Sequence, residues 1–463
     1  METAYDVVIV GSGPAGYESA LRARELGMTA ALVENAELGG TCLNRGCIPT
    51  KALLHSSSVW RESANAGRLG IREDNRAFDI GAMAARKSEV VDLMRAGLER
   101  TVAAGGVSII RGRAVVRESG LVDVACDAGE TVTLHSKHIL IAAGSKPFMP
   151  PIPGIDLPRV FTSDGLLRHV PFLKNPVIVG GGAIGMEFAS FYNDLGCKVT
   201  VVETMDRILP LMDREISQNL SMILKRRGVT IVTGKRIESF EEKTDDAGML
   251  LCALSDGSVL ESDGVLVAAG RRPSAEGLFA DGLSIACDRG AIIVDEYFRT
   301  GVDGVYSVGD AIGGMQLAHA ATAQGIAAIE HMAGVENPRC DRPVPSCVYT
   351  NPEIASVGLD ADAAAARGIK TVVGKALSSM NARAVINMED RGFAKLVFEE
   401  SECKRAGRII GAQIMCSRAS DLISELSTSI SFGLSARDIA SVIRPHPSWS
   451  ELITQAARSA LGR

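Results

Sequence analysis

No stretch of this chain approaches the roughly 18 apolar residues that a membrane-spanning helix requires, so nothing in it points to the bilayer. Charge of one sign is equally scarce. The 49 Lys and Arg stand against 55 Asp and Glu, a net charge of −6, and the basic run Lys225-Arg226-Arg227 is short. A nucleic-acid footprint needs a basic stripe or face, so none is indicated, and that run is expected to end a solvated helix. The first strand pattern, YDVVIV, begins at Tyr5. That leaves no room for a presequence, and a cytoplasmic protein is the expectation. Ten cysteines do not make a disulfide framework here, because eight are scattered singly and free cysteine is among the most commonly buried residues. What remains is a chain of 463 residues with 46% apolar content, enough for ample core in roughly two to four domains.

The two cysteines that are not isolated are Cys42 and Cys47, in GGTCLNRGCIPTK. Their spacing suits a reversible disulfide presented at a site. In an undistorted helix, α-carbons five residues apart lie roughly 8 to 9 Å from each other, whereas a disulfide accepts at most about 6.8 Å. The helix is therefore expected to be distorted, with Pro49 clashing against the Arg45 carbonyl and Gly46 free to take unusual angles. Two core cysteines, or half of a metal site, are the plainer alternatives. Zinc ligands come with a second pair, and no other Cys pair or His is near enough in sequence to supply one, so no metal is expected.

Tyr5 to Val10 reads as a buried strand running into GSGPAG, followed by a helix over 15–27 and a strand over 29–33 that ends at Glu34. In this context the fingerprint has a physical meaning. Gly11 allows the tight turn, Gly13 lets backbone approach a pyrophosphate, Gly16 lets the helix pack on the strand, and Glu34 is placed to accept from a ribose. The pattern recurs. A strand over 176–179 leads into GGGAIG, with Gly180, Gly182 and Gly185, then a helix through Leu195 and a strand ending at Glu203. Equal phasing predicts two Rossmann-type units and two dinucleotides. A carboxylate at Glu203 repels a 2′-phosphate, which predicts NAD(H) rather than NADP(H) at the second unit. The runs ILIAAG and VLVAAG, ending at Gly144 and Gly270, read as the strands that close each unit. Asp310 follows another strand, where it suits either a flavin ribityl chain or an ordinary turn.

With these motifs in place, and with YTNPEIASVG at 349–358 and HPSWSE at 446–451, the chain resembles the FAD-dependent pyridine nucleotide-disulfide oxidoreductases along nearly its whole length. Within them it is most similar to the branch that oxidises dihydrolipoamide. The resemblance implies an α/β fold of two Rossmann-like dinucleotide-binding domains plus a C-terminal α+β dimerisation domain. It divides the chain into an FAD-binding domain over 1–150 and 273–345, an NAD-binding domain over 151–272 and an interface domain over 346–463. FAD on the first unit, with Ala318 among its contacts, NAD on the second, and a homodimer follow from it. A lipoyl group carried by an acyltransferase, or by the carrier protein of a glycine cleavage system, is the implied substrate. No nucleic acid or membrane partner is implied.

Carried over residue by residue, the resemblance makes Cys42 the thiol that exchanges with substrate and Cys47 the one beside the flavin. Lys51 would approach the flavin and Glu187 would pair with it. Taken singly, Lys51 reads as a solvated helix lysine and Glu187 as a first-turn acid favoured by the helix dipole. His446 lies between Pro445 and Pro447, which bars it from a helix, and the resemblance makes it the base that deprotonates the incoming thiol. Glu451 would orient it, although Ser448 to Glu451 also spells a capping box. The chain departs from the pattern at Arg444, where many members carry a second histidine. A glutathione-type reductase is the nearest alternative, disfavoured by Glu203 and by Ala183 where a gating tyrosine is usual. A flavoprotein redox switch is another, disfavoured because a switch needs no general base.

Overall fold

The computed structural model describes every residue except 1–2, 73–74, 128, 245, 247, 337, 339, 390, 402–404 and 463, so Cys403 lies outside the described residues. The first unit opens with β1 (Thr3–Val10), α1 (Pro14–Glu25) and β2 (Ala30–Glu34). Two consecutive helices, α2 (Gly40–Arg45) and α3 (Cys47–Ser63), lead to the long α4 (Ile80–Ala104), capped by the Asp79 carboxylate. Next come β3 (Ser108–Glu118), β4 (Leu121–Cys126) and β5 (Thr131–Ile141). β1 pairs in parallel with β2 and β5, and β2 with β3, while β4 joins the outer halves of β3 and β5 as an antiparallel meander. Central strands covered on both faces cannot alternate apolar with polar residues. Val7, Val8, Ile9 and Leu32 are accordingly all fully buried.

The chain then leaves this sheet through β6 (Ser145–Pro147). The second unit comprises β7 (Val160–Thr162), α5 (Ser163–His169), β8 (Pro176–Val179), α6 (Ala183–Asp194), β9 (Thr200–Glu203), α7 (Arg214–Arg226) and β10 (Thr230–Thr233). A three-stranded antiparallel sheet of β11 (Ile237–Glu242), β12 (Leu250–Leu254) and β13 (Val259–Ser262) covers one face, and β14 (Gly264–Val267) closes the parallel sheet in the order β10-β9-β8-β14-β7. The return passes through β15 (Arg271–Pro273), which pairs antiparallel with β6. It continues through β16 (Cys287–Asp288) and β17 (Ala291–Ile292) to β18 (Val305–Ser307), parallel to β5. A 3-10 turn over Gly309–Ile312 and α8 (Ala318–Met332) complete the first unit. α8 lies against α1 through small residues. A Cβ on Gly325 would stand 2.3 Å from the Ser19 hydroxyl, so only glycine permits that approach.

The C-terminal unit is α+β. Its antiparallel sheet uses β19 (Ser346–Val348), β20 (Ile354–Gly358), then α9 (Ala361–Ala366), β21 (Thr371–Leu377), α10 (Ala382–Ile386), β22 (Phe393–Glu400) and β23 (Ala406–Met415). The strand order is β19-β20-β23-β22-β21. Packed on it are α11 (Ala419–Ser431), α12 (Ala436–Ser441) and α13 (Glu451–Ala460). Ion pairs tie this unit to the second one: Lys395 Nζ lies 2.7 Å from Asp213 Oδ2 and 3.2 Å from Glu215 Oε2. The basic run ends α7 as expected only in part. Lys225 and Arg226 are exposed, whereas Arg227 turns inward and donates to the Asn351 carbonyl at 3.0 Å. No helix among the described residues is long and apolar enough to cross a membrane.

Candidate functional site

A cleft of ≈ 750 Å³ opens beyond the C-terminal ends of β1, β2 and β5. Gly11, Gly13, Glu34, Cys42, Cys47, Lys51, Gly144, Glu187, Asp310 and Ala318 all line it, so widely spaced sequence segments converge there. Gly11 has φ +100°, and a Cβ on Gly16 would stand 1.8 Å from the Gly11 carbonyl oxygen, so the third glycine serves helix-to-turn contact. A Cβ on Gly13, by contrast, would meet nothing within 4 Å. That open backbone, with the first turns of α1 and α8 both facing the cleft, gives two helix N-termini for a diphosphate. The residues present fit FAD.

Glu34 and Glu203 do something the sequence did not announce. Glu34 Oε2 accepts from the Ser12 amide at 2.9 Å and the Ser12 hydroxyl at 2.6 Å, and Oε1 accepts from the Ala36 amide at 2.8 Å. Glu203 repeats this: Oε2 accepts from the Gly181 amide at 2.6 Å and Oε1 from the Met205 amide at 2.8 Å. Both carboxylates are 7% exposed. Each therefore locks its own fingerprint loop before any ribose arrives, and the signal was present, since Ser12 and Gly181 hold the same place in the two motifs. Gly180 (φ +108°) and Gly185, whose Cβ would meet the Gly180 oxygen at 2.0 Å, reproduce the first unit, and Gly182 is open. Gly270 (φ +109°) is open too. Together with the N-terminus of α6, these residues fit a second dinucleotide.

The cysteine pair lies where the helix breaks. Gly46 (φ −142°, ψ −104°) separates α2 from α3, so the distortion falls on the glycine and not on a proline clash. Pro49 is in the first turn of α3, where its missing N–H costs no intrahelical bond. Asn44 Nδ2, unnoticed in the sequence, donates to the carbonyls of Leu38 and Gly40 at 2.9 and 3.0 Å and fixes the approach to Cys42. Both cysteines are free thiols here. Donation from Cys42 lowers the Cys47 thiol to about 7, against the opposing effect of burial and with help from the Lys51 charge. The same bond, with burial, pushes Cys42 up. Lys51 Nζ lies 3.0 and 2.9 Å from the two Glu187 oxygens, as expected of the pair. The Tyr349 amide also donates to Glu187 Oε1 at 3.0 Å, which brings the C-terminal unit to the cleft.

Asp310 is held by a donor the sequence left unassigned. The Ser145 hydroxyl donates to Asp310 Oδ2 while accepting from Arg271 Nε at 2.8 Å, so β6 and β15 orient this carboxylate together. A third thiol, Cys347, also lines the cleft and is pushed up to about 11, chiefly by burial. His446 and Glu451 are not among the residues lining the cleft. His446 is 72% exposed, with Nδ1 3.0 Å from Glu451 Oε1. The other Glu451 oxygen accepts from the Ser448 amide at 2.9 Å. The expected competition between two roles for Glu451 is thus resolved by dividing its oxygens. The capping box is half formed, because the Ser448 hydroxyl meets Ser450 and the N-cap is Ser450. Among the described residues no group of three or more His, Cys, Asp or Glu is placed to hold a metal ion.

The family described as Pyridine nucleotide-disulphide oxidoreductase matches residues 5–325, and its dimerisation domain matches residues 344–457. A dihydrolipoyl dehydrogenase from Bacillus subtilis is 37% identical over 477 residues, covering 100% of this chain and 99% of that protein. Among solved structures, LpdA from Mycobacterium tuberculosis matches with a TM-score of 0.90 at 28% identity, over 98% of this chain and 99% of its own. The HOCl-induced flavoprotein disulfide reductase RclA from Escherichia coli matches with a TM-score of 0.87 at 29% identity, again over 98% and 99%.

Proposed function

This chain belongs to the pyridine nucleotide-disulphide oxidoreductases, and from that premise we propose that it is a dihydrolipoyl dehydrogenase, oxidising protein-bound dihydrolipoamide while NAD+ is reduced. FAD and NAD(H) are its cofactors. The observation that carries the reading is the Cys42, Cys47, Lys51 and Glu187 cluster facing one cleft, with Cys47 drawn toward its thiolate. Residues 1–150 and 273–345 form the FAD unit, 151–272 the NAD unit and 346–463 the interface through which two copies pair. Gly11, Gly13 and the first turns of α1 and α8 would hold the FAD diphosphate, and Asp310 its ribityl hydroxyls. Gly182 and the start of α6 would hold NAD.

In this scheme His446 of the partner subunit takes a proton from the first substrate thiol at Nε2, because Nδ1 is committed to Glu451. The substrate thiolate attacks Cys42 Sγ of the oxidised pair. The Cys42–Cys47 bond breaks and Cys47 leaves as a thiolate, which the Lys51 charge stabilises and which the Cys42 S–H stabilises only once the substrate has released Cys42. The second substrate thiol then displaces Cys42 and closes the lipoyl disulfide. Two protons leave the substrate and two electrons enter the cysteine pair, so the step balances. FAD, when bound, supplies the two-electron link between that dithiol and the nicotinamide. The lipoyl arm comes from an acyltransferase of a 2-oxo acid dehydrogenase complex or from a glycine cleavage carrier protein.

A second reading, an NADH-driven reductase of small disulfides, draws on the likeness to RclA. The test is steady-state turnover of dihydrolipoamide with NAD+, against glutathione disulfide with NADH and with NADPH, in the wild type and in Cys47→Ser. The proposal expects dihydrolipoamide and NAD+ to be the preferred pair and Cys47→Ser to lose that turnover while NADH-to-dye transfer persists. Normal lipoamide turnover in Cys47→Ser would refute it.

A further inference from the structure

Resting on the reading of His446 as the base, we propose that Arg444 is a positioning residue that sets His446 for proton abstraction. The Arg444 side chain is only 4% exposed, two residues from an imidazole that is 72% exposed. A buried guanidinium must be paired to be tolerated, and its partners come from every element around the loop. Nη1 donates to the Ile439 carbonyl in α12 at 3.1 Å, and also to the Thr454 hydroxyl in α13. Nη2 pairs with the Glu425 carboxylate in α11. Residues 442–450, between α12 and α13, have no helix or strand of their own. Their far end is fixed by buried Trp449 and by Asn381 Nδ2 donating to the Ser448 carbonyl at 3.0 Å. Their near end is fixed by Arg444.

His446 sits between these two anchors, and its own side chain is hydrogen-bonded to Glu451. Ile443 points fully outward and contributes no anchor from within the chain. The fork of a guanidinium can reach three helices at once, which neither a lysine nor an imidazole can do. Arg444 is too deep to meet a substrate thiol. Its effect is carried by the placement of the next residues, which is why a buried cation stands beside an exposed base.

The test uses the dimeric, FAD-loaded enzyme and compares Arg444→Met, Arg444→Lys, Thr454→Val, His446→Gln and the Arg444→Met/His446→Gln double variant. Because a misplacement of about 1 Å costs up to about a hundredfold, Arg444→Met should lower kcat for dihydrolipoamide at least about tenfold. KM should change little, and NADH-to-dye transfer not at all. Arg444→Lys should recover part of the loss. Thr454→Val, which removes one acceptor without a cavity, should show the same split at smaller size. The double variant should be no slower than His446→Gln alone. Wild-type kcat in Arg444→Met, losses that multiply in the double variant, or a parallel fall in both assays with loss of flavin would each overturn the proposal. A fully active His446→Gln would instead overturn the base reading on which it rests, and this proposal with it.

Discussion

Replacing Cys42 by alanine should raise the pH at which Cys47 becomes nucleophilic. In the reduced protein Cys47 is held at about 7, below the 9.0 of an ordinary thiol. Donation from Cys42 is the largest cause, burial opposes it, and the Lys51 charge assists. A hydrogen bond to a charged acceptor contributes about 1.5–3 kcal/mol, so Cys42→Ala should return Cys47 upward by about one to two pH units. Lys51→Met should do less. The Lys51 charge favours the Cys47 thiolate, but Glu187, 2.9 Å from that ammonium, opposes it. The assay is the rate of Cys47 alkylation by iodoacetamide against pH, read by mass spectrometry on reduced protein. A Cys42→Ala midpoint still near 7, or a larger rise in Lys51→Met, would refute the assignment of cause. Stability follows with a definite sign. Since the folded value lies below the unfolded one, this contribution of Cys47 is present in full above pH 9 and is lost as pH falls through 7. The raised Cys42 thiol works in reverse above pH 9, so the pair stabilises the reduced protein most near that pH.

Two further substitutions separate folding from cofactor retention. Gly16→Ala forces a Cβ against the Gly11 carbonyl and should cost about 1–3 kcal/mol by overpacking, seen as a lower melting temperature together with flavin loss. Gly13→Ala meets no protein atom, so it should melt like the wild type yet purify with little flavin; a full complement of flavin would contradict the placement of the diphosphate. Lys395→Met leaves Asp213, a buried carboxylate, without its cation, and should destabilise the chain by about 3–5 kcal/mol in urea unfolding, unlike Lys235→Met at a half-exposed pair.

The fold was legible where local signals agree. The run YDVVIV reads as a buried strand because Val and Ile fill both faces, and the structure extends it only to Thr3. The first helix was read to Gly27 and ends at Glu25, because Gly27, at φ +80°, belongs to the turn beyond it. The glycine motifs were readable because backbone sterics fix their meaning within a few residues. The Lys51–Glu187 pair was reachable only through the resemblance, since 136 residues separate its members. Ser145 on Asp310 and Tyr349 on Glu187 left no mark at all, and Arg444 showed only as a departure from the family pattern, without its partners. In each case the partner is chosen by tertiary packing.

The two acidic residues show how a correct motif can still carry an incomplete reason. In both units the carboxylate at the end of the second strand accepts the amide at the second position of the glycine loop, 22 residues earlier, and the amide two residues later. A group that serves the loop this way is needed whether or not a ribose is bound. Glu203 has little acceptor capacity left for a 2′-hydroxyl, because Thr204 also donates to Oε1 at 3.1 Å. What it still offers is a carboxylate 7% exposed, where charge is poorly screened. Discrimination against a 2′-phosphate therefore rests on repulsion more than on a hydrogen bond to the ribose. On that argument Glu203→Gln, which keeps the shape and one acceptor, should relax the preference for NADH over NADPH while NADH binding stays close to that of the wild type.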